Sequence, residues 1–554
     1  MFSSARELNA SSMKNQDYLA RLNMFKHSLP HFLSSFNLTD QKALFACLSI
    51  GFLVRLVPEL LAFPHPIGFD TIHYAAAMES GVVLAHWSRV FTSSWLLYAL
   101  IVPLYNLLQA DPFILLKIVA PLLFGLNVAG VYWFSRKMLG WSLRIGVLTG
   151  FFFALQLASL RISWDLLSNT LGLGLLLFAL SYVKEINSKP GFMLFAVLSV
   201  LSVLAHAYAA VILLVVVFGL LVWKLVKRKL DSGSIRLALA SLPALTVFLL
   251  NIGLRVFPVR YAIVTNIIRA RDAIRADFGV GGISFLVNYL NVNENVDSYA
   301  SYWDLALSVV LLFAVLFLPY IFLVVKGFFS NSVLNLWTGL LLVGAFGCLL
   351  VPFAALQYWH RWMFMLAYPF SFYAINGFGR FLNRLRKGNS RLSSWFFDGK
   401  AAASILLTFA LGIAYLATPL LMVYGNVNVP VVSGTYLYFS TSPTVPYEDV
   451  DSVVDAMHWL NDYLDTSTSV ALQSAFLSWG ELYLDNSHAI VYFEVDVDSA
   501  VKTGFENGFN DVYFVWWNEP IGWYGISVPE TFVRVQDFGR ITVYEYEGVD
   551  IVGS

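Results

Sequence analysis

What most constrains this chain is a recurring apolar stretch, too long and too frequent for the core of a soluble protein. The first such stretch begins near Ala43. Others follow at about 113–134, 145–160, 166–183, 191–205, 207–223, 237–254, 303–325, 333–355, 362–379 and 402–422. That makes about eleven segments near the length a helix needs to cross a bilayer, or about 12 or 13 helices once interfacial ones are counted. A backbone inside hydrocarbon must satisfy its own hydrogen bonds, so the spans are predicted to be helices packed as an all-α membrane bundle. Composition agrees: of 554 residues 58% are hydrophobic and only 13% charged, with mean hydropathy +0.68. Sixteen per cent are aromatic, which suits interfacial belts and excludes a disordered chain. Cys47 and Cys348 both lie inside apolar runs, which excludes a disulfide framework and a four-ligand zinc site. Nothing in the charge pattern points to nucleic acid.

The net charge of zero is a cancellation. Residues 1 to about 42 are polar, with no cleavable signal, and Tyr18, Leu22, Phe25 and Leu29 recur there at helical spacing, as an interfacial helix or as part of a flexible tail. If the segment from about Ser93 to Gln109 lies in the outer leaflet instead of crossing, 22 of the 35 Lys and Arg fall on the side of this tail, against six acidic residues. The last segment, after about Tyr424, carries three basic and nineteen acidic residues. The positive-inside rule then puts the N-terminus in the cytoplasm and the C-terminal part outside a multi-pass plasma-membrane protein. The expected organisation is a tail at 1–42, a transmembrane domain at 43–424 with long outer loops at 63–112 and 255–302, and an extracytoplasmic α/β domain at 425–554. In the last, an amphipathic helix is expected over Ser452 to Leu464, with strands over Ala489 to Phe493, Val512 to Trp516 and Ile541 to Tyr546. No internal repeat marks an inverted-repeat transporter.

A charge at membrane depth costs kilocalories, so ionisable groups at the outer ends of spans are candidates for function. Just after the first span comes His65-Pro66-Ile67-Gly68-Phe69-Asp70-Thr71-Ile72-His73-Tyr74. There Asp70 is expected to cap a new helix whose face carries His73 and Tyr74. The same carboxylate, held at the membrane surface, suits taking a proton from an acceptor hydroxyl or binding a cation. Arg161 and Asp165 follow the short 145–160 segment, either as a simple i, i+4 pair or as a recessed carboxylate facing a second one across an outward cavity. At Tyr358-Trp359-His360-Arg361-Trp362, Arg361 reads as a snorkelling belt residue or as a phosphate ligand at headgroup level, with His360 beside it. The second outer loop adds Arg255, Arg260, Arg269, Arg271 and Arg275 among Ile263, Ile267, Ile268 and Ile274, a surface for anionic membrane lipids or a lipid phosphate. His206, at the bend of a helical hairpin, reads first as structural.

In this order and spacing the chain resembles the GT-C superfamily of integral-membrane glycosyltransferases, above all the single-chain oligosaccharyltransferases of archaea and bacteria. Gly68-Phe69-Asp70 with Tyr74 is similar to the family's first acidic motif, Arg161 to Asp165 to its second, His360-Arg361-Trp362 to its phosphate-contacting arginine, and Ala456-Met457-His458-Trp459-Leu460 to the helix opening its exported domain. Two departures stand out. Where the family has Trp-Trp-Asp-x-Gly to read the acceptor sequon, this chain has Leu477-Ser478-Trp479-Gly480-Glu481, and the partial match Trp516-Trp517-Asn518-Glu519 falls within an expected strand, as packing. Asp165 is followed by Leu166-Leu167 instead of a second carboxylate.

The resemblance implies a glycosyltransferase for protein glycosylation at an archaeal or bacterial cell surface. It would move a sugar from a polyprenyl- or dolichyl-phosphate carrier to a protein or lipid-linked glycan acceptor on the outer face. Asp70 and Asp165 would be catalytic and would bind Mg2+ or Mn2+ if a metal is used, with Glu294 or Asp297 completing its ligands. Arg361, His360, His73, Tyr74, Arg161, His206 and Arg271 would contact substrate. Alternatives are an oligosaccharyltransferase with altered acceptor recognition, a transporter and a non-catalytic scaffold.

Overall fold

The computed structural model describes residues 38–84, 86–92, 94–256, 267–270, 302–350, 359–386, 392–421, 443–485, 487–494, 496–518 and 528–548. The tail helix expected over Tyr18 to Leu29 lies outside them.

Long helices build the membrane part. They are α1 (Leu38–Leu61), the short α2 (Thr71–Ser80), α3 (Trp95–Leu108), α4 (Pro112–Lys137), α5 (Leu143–Ala154), α6 (Leu157–Asp165), α7 (Leu167–Ser181), α8 (Lys189–Ala205), α9 (Ala207–Val226) and α10 (Ser232–Val256). After the second outer loop come α11 (Tyr302–Gly327), α12 (Ser332–Phe346), α13 (Trp359–Met365), α14 (Ala367–Arg386) and α15 (Leu392–Leu416). Among the described residues seven helices are long and apolar enough to cross a membrane, or eight if the pair α5–α6, bent by 63°, is one broken span. Where they are described, the apolar segments expected from the sequence fall on helices, with 145–160, 362–379 and 402–422 each divided. Leu53, Leu318, Val325, Val343 and Leu406 point outward and exposed, as a bundle surrounded by lipid requires. The segment around 93–109 becomes α3, whose 14 residues reach about 21 Å and so fall short of a roughly 30 Å hydrocarbon core.

The start and end of α4 follow from its sequence. Asp111 accepts hydrogen bonds from the N–H groups of Phe113 and Ile114, and Pro112 stands at the first helical position, where its missing N–H costs nothing. Arg136 and Lys137 close the last turn, opposite in charge to the helix end, and Arg136 pairs with Asp40 at 2.9 Å. Near mid-helix a Cβ on Gly125 would come 2.6 Å from the Leu48 carbonyl oxygen, so its lack of a side chain lets α1 lie directly on α4. The α5–α6 break has its own ligands: Gln156 donates to the Ala367 carbonyl (3.1 Å) and the Ser371 hydroxyl (2.6 Å), and Tyr320 donates to its Oε1. Ala367 follows Leu366, where the chain breaks a second time, so the two broken segments meet.

The C-terminal part is a six-stranded sheet with helices. Its elements are α16 (Tyr447–Tyr463), β2 (Thr468–Gln473), α17 (Ser474–Tyr483), β3 (Ala489–Phe493), α18 (Val497–Glu506), β4 (Asp511–Trp517), β5 (Phe532–Asp537) and β6 (Ile541–Tyr546). The expected amphipathic helix and three strands are present. The sixth strand, β1 (Ile267–Arg269), comes from the second outer loop and gives the order β1-β3-β2-β4-β6-β5, parallel through β4 and antiparallel beyond it. Ile267 and Ile268 are half-buried on this sheet, where they pair with Ile490 and Val491. Trp516 and Trp517 are buried in β4, where Trp517 donates its indole N–H to Asp449 at 2.8 Å, in keeping with a packing role.

Candidate functional site

The site forms where the loop after α1 meets the end of α6. Gly68 makes this approach possible: its φ of +92° suits glycine, and a Cβ there would stand 2.6 Å from the Asp165 Cβ and 2.8 Å from the Trp164 carbonyl oxygen. Two residues on, Asp70 takes the N-cap position of α2. The expectation that its carboxylate caps this helix is not met, since the side chain accepts no cap hydrogen bond. The carboxylate is instead left half-buried among charges. Burial pushes its pKa up, the charge of Asp165 pushes it further, and Arg361 and Arg161 oppose both.

Asp165 is more enclosed, at 2% exposed, and all nine residues of α6 are buried. Arg161, one turn earlier, holds it bidentately, with Nη1 to Oδ1 at 2.6 Å and Nη2 to Oδ2 at 3.2 Å. Of the two expected readings the i, i+4 pair is the one observed, on a buried half-helix. Phe364 of α13 lies under the Arg161 guanidinium at 5.5 Å. The same short helix supplies Arg361, half-buried, whose charge acts on Asp70. His360 is buried among rings, with Trp359 at 5.9 Å and Phe364 at 6.1 Å.

The other residues diverge. Tyr74 turns to α7, its hydroxyl oxygen 3.4 Å from the Ser168 N–H, and burial keeps its phenol above the ordinary pKa. His73 turns to the C-terminal part, with Nδ1 2.5 Å from the Ser478 hydroxyl, which in turn donates to Glu481 at 3.2 Å. Burial lowers the pKa of His73 and raises that of Glu481. His206 caps α9, its Nδ1 accepting from the Tyr208 N–H at 3.2 Å; its ring faces Tyr208, which meets Trp362 edge-on at 5.0 Å. A capping role fits the structural reading of this histidine. Arg269 is exposed at the end of β1. Arg260, Arg271, Arg275, Glu294, Asp297 and the side chain of Arg255 lie outside the described residues.

Three charged residues escaped the sequence reading. Arg55 and Glu59, one turn apart on α1, pair at 2.7 Å, and Glu59 also pairs with Lys117 of α4 at 3.2 Å. Arg55 donates to the carbonyls of Ser163 (3.2 Å) and Trp164 (3.4 Å), and Lys117 donates to that of His65 (2.6 Å). The signal was present as charges inside apolar runs, with Arg55 and Glu59 at i, i+4.

A divalent cation prefers six or more oxygen ligands. Both oxygens of Asp165 are taken by a guanidinium that would repel such an ion, and among the described residues no three His, Cys, Asp or Glu converge. The described residues do not fit a resident Mg2+ or Mn2+.

No family model and no curated protein matches the chain by sequence. Solved structures match it by fold. The crystal structure of the Archaeoglobus fulgidus oligosaccharyltransferase in the apo form is similar, with TM-score 0.51 and 13% identity, over 85% of this chain and 70% of that one. The structure of ArnT from Cupriavidus metallidurans bound to undecaprenyl phosphate has TM-score 0.49 and 14% identity, over 90% and 97% of the two chains. At such identity the likeness to the archaeal structure speaks for architecture alone: this is a multi-pass membrane protein whose fold is similar to that of the archaeal oligosaccharyltransferase.

Proposed function

We propose that the chain is a membrane glycosyltransferase that takes a sugar from a polyprenyl- or dolichyl-phosphate carrier and passes it to a glycan or protein acceptor on the outer face. One observation carries the reading. Asp70 and Asp165, far apart in sequence, are brought together by the Gly68 contact, and Arg161 and Arg361 supply the cations around them. In the reaction, the Asp70 carboxylate takes the acceptor's proton as the acceptor atom attacks the sugar's anomeric carbon. The bond from that carbon to the phosphate oxygen breaks, and the phosphate leaves with the electron pair, its charge met by Arg361. Asp165, fixed by Arg161, keeps a negative charge beside Asp70 and so raises its affinity for the proton.

A single-sugar donor is preferred over an oligosaccharide transferred to a peptide sequon. Trp479, in the stretch that stands in place of the sequon motif, is fully buried and donates its indole N–H to Thr444 at 2.9 Å, so it offers no surface to a peptide. A transporter is the second reading, favoured by the breaks at Leu155-Gln156 and Leu366. Mass spectrometry of lipid copurifying with the full chain separates the two. A phosphorylated isoprenoid carrying one sugar, consumed when acceptor is added, supports transfer. A bound solute or lipid that is never consumed supports transport.

A further inference from the structure

Arg55, Glu59 and Lys117 belong to no part of the reaction proposed above, yet their side chains are only 0%, 5% and 10% exposed. Burying three charges is expensive, and an apolar trio of similar volume would pack there at no such cost. What such a trio could not do is hydrogen-bond to specific backbone carbonyls. Arg55 donates to Ser163 and Trp164, in the last turn of α6, where helix carbonyls lack intrahelical partners and Asp165 is the next residue. Its guanidinium also lies 5.3 Å from the Trp164 ring. Lys117 donates to His65, on the loop that leads through Gly68 to Asp70. Glu59 pairs with both cations. Thus a single chain of ion pairs has one end on the segment carrying Asp165 and the other on the segment carrying Asp70. Beside it lies a small cavity lined by Glu59, Ile67, Thr71, Lys117, Trp164 and Leu167.

We propose that Arg55–Glu59–Lys117 is a positioning device that sets the separation of Asp70 and Asp165. None of the three touches substrate. The importance of that separation rests on the glycosyltransferase reading, but the placement itself can be measured without turnover.

The test uses single substitutions that each leave one ion pair whole. Lys117→Met keeps Arg55 with Glu59 and frees the loop; Arg55→Leu keeps Glu59 with Lys117 and frees the end of α6. The full chain is purified, its melting temperature recorded, and its carboxylates labelled with a carbodiimide and an amine, the adducts being located by mass spectrometry. Lys117→Met is expected to label faster at Asp70 with Asp165 still shielded by Arg161, and Arg55→Leu faster at Asp165. In the transfer assay Lys117→Met lowers kcat, by up to about 10²-fold for a shift near 1 Å, with donor KM little changed. Lys117→Arg, which retains a donor for the His65 carbonyl, restores both readouts in part. Should one substitution abolish folding, the other decides by the same labelling. Variants that melt like the parent and label like it overturn the proposal. Altered labelling in a chain whose parent transfers no sugar upholds the positioning and removes the enzymatic reading instead.

Discussion

Asp70 and Asp165 are the same chemical group in two different settings. Asp165 lies at the end of a fully buried half-helix with both oxygens held by one guanidinium. Asp70 lies on a loop, half-buried, with no cap hydrogen bond and a neighbouring negative charge. The surroundings of Asp70 raise its affinity for a proton, while both oxygens of Asp165 are tied up by one guanidinium, so the two are suited to different work. The clamped one serves as a fixed charge and the other as the group that gains and loses a proton.

The sharpest way to break this comparison is to neutralise each in turn. Asp70→Asn is expected to lower transfer by about 10²–10⁴-fold with a melting temperature no lower than the parent's, checked by initial rates and a thermal scan of purified protein. Asp165→Asn should fail differently. It leaves the Arg161 guanidinium buried without its counter-charge, a loss of about 3–5 kcal/mol seen as a lower melting temperature together with lost transfer. If the two variants lose stability equally, the distinction between clamped and unclamped carboxylates is wrong.

Gly68→Ala moves the carboxylates without removing either. Its Cβ collides with Asp165 at a φ that disfavours alanine, so a loss of about 1–3 kcal/mol is expected, with a fall in transfer smaller than for Asp70→Asn, measured in the same assays. The smallest effect is a trend with pH. Asp70, outside the membrane-spanning helices, has its pKa pushed up to about 6, first by burial and then by Asp165. A base must be ionised, so transfer falls as pH drops through about 6. Stability runs the other way: folded Asp70 holds its proton more tightly than the unfolded chain does, so its contribution is present at low pH and is lost as pH rises through about 6. A pH–rate profile and melting temperatures across pH 4 to 8 check both trends, and Asp70→Asn should abolish both.

Much of this was legible in the sequence because membranes impose blunt rules. Apolar length places the helices, and the charged residues at outer span ends picked out Asp70, Arg161, Asp165 and Arg361. The helical fold with its C-terminal sheet agrees with that reading. Other features depend on contacts that periodicity does not encode. The strand Ile267–Arg269 became a strand through an edge offered by β3, more than two hundred residues later in the chain. The bend between α5 and α6 rests on Gln156 meeting Ala367 and Ser371. Asp70 was expected to cap a helix because the local pattern Asp-Thr-Ile-His favours it, yet the charges gathered around its carboxylate come from α6 and α13. Arg55, Glu59 and Lys117 lie up to two turns inside the ends of α1 and α4 among apolar neighbours, where charge at span ends does not point to them.

The most direct measurement is single-turnover transfer from a radiolabelled polyprenyl-phosphate sugar by the purified chain and by Asp70→Asn, with bound lipid measured in both. The account predicts that the parent releases the polyprenyl phosphate and labels its acceptor, while Asp70→Asn binds the donor equally well and transfers almost nothing. Equal transfer by the two proteins, or a parent that binds no such lipid, would contradict it.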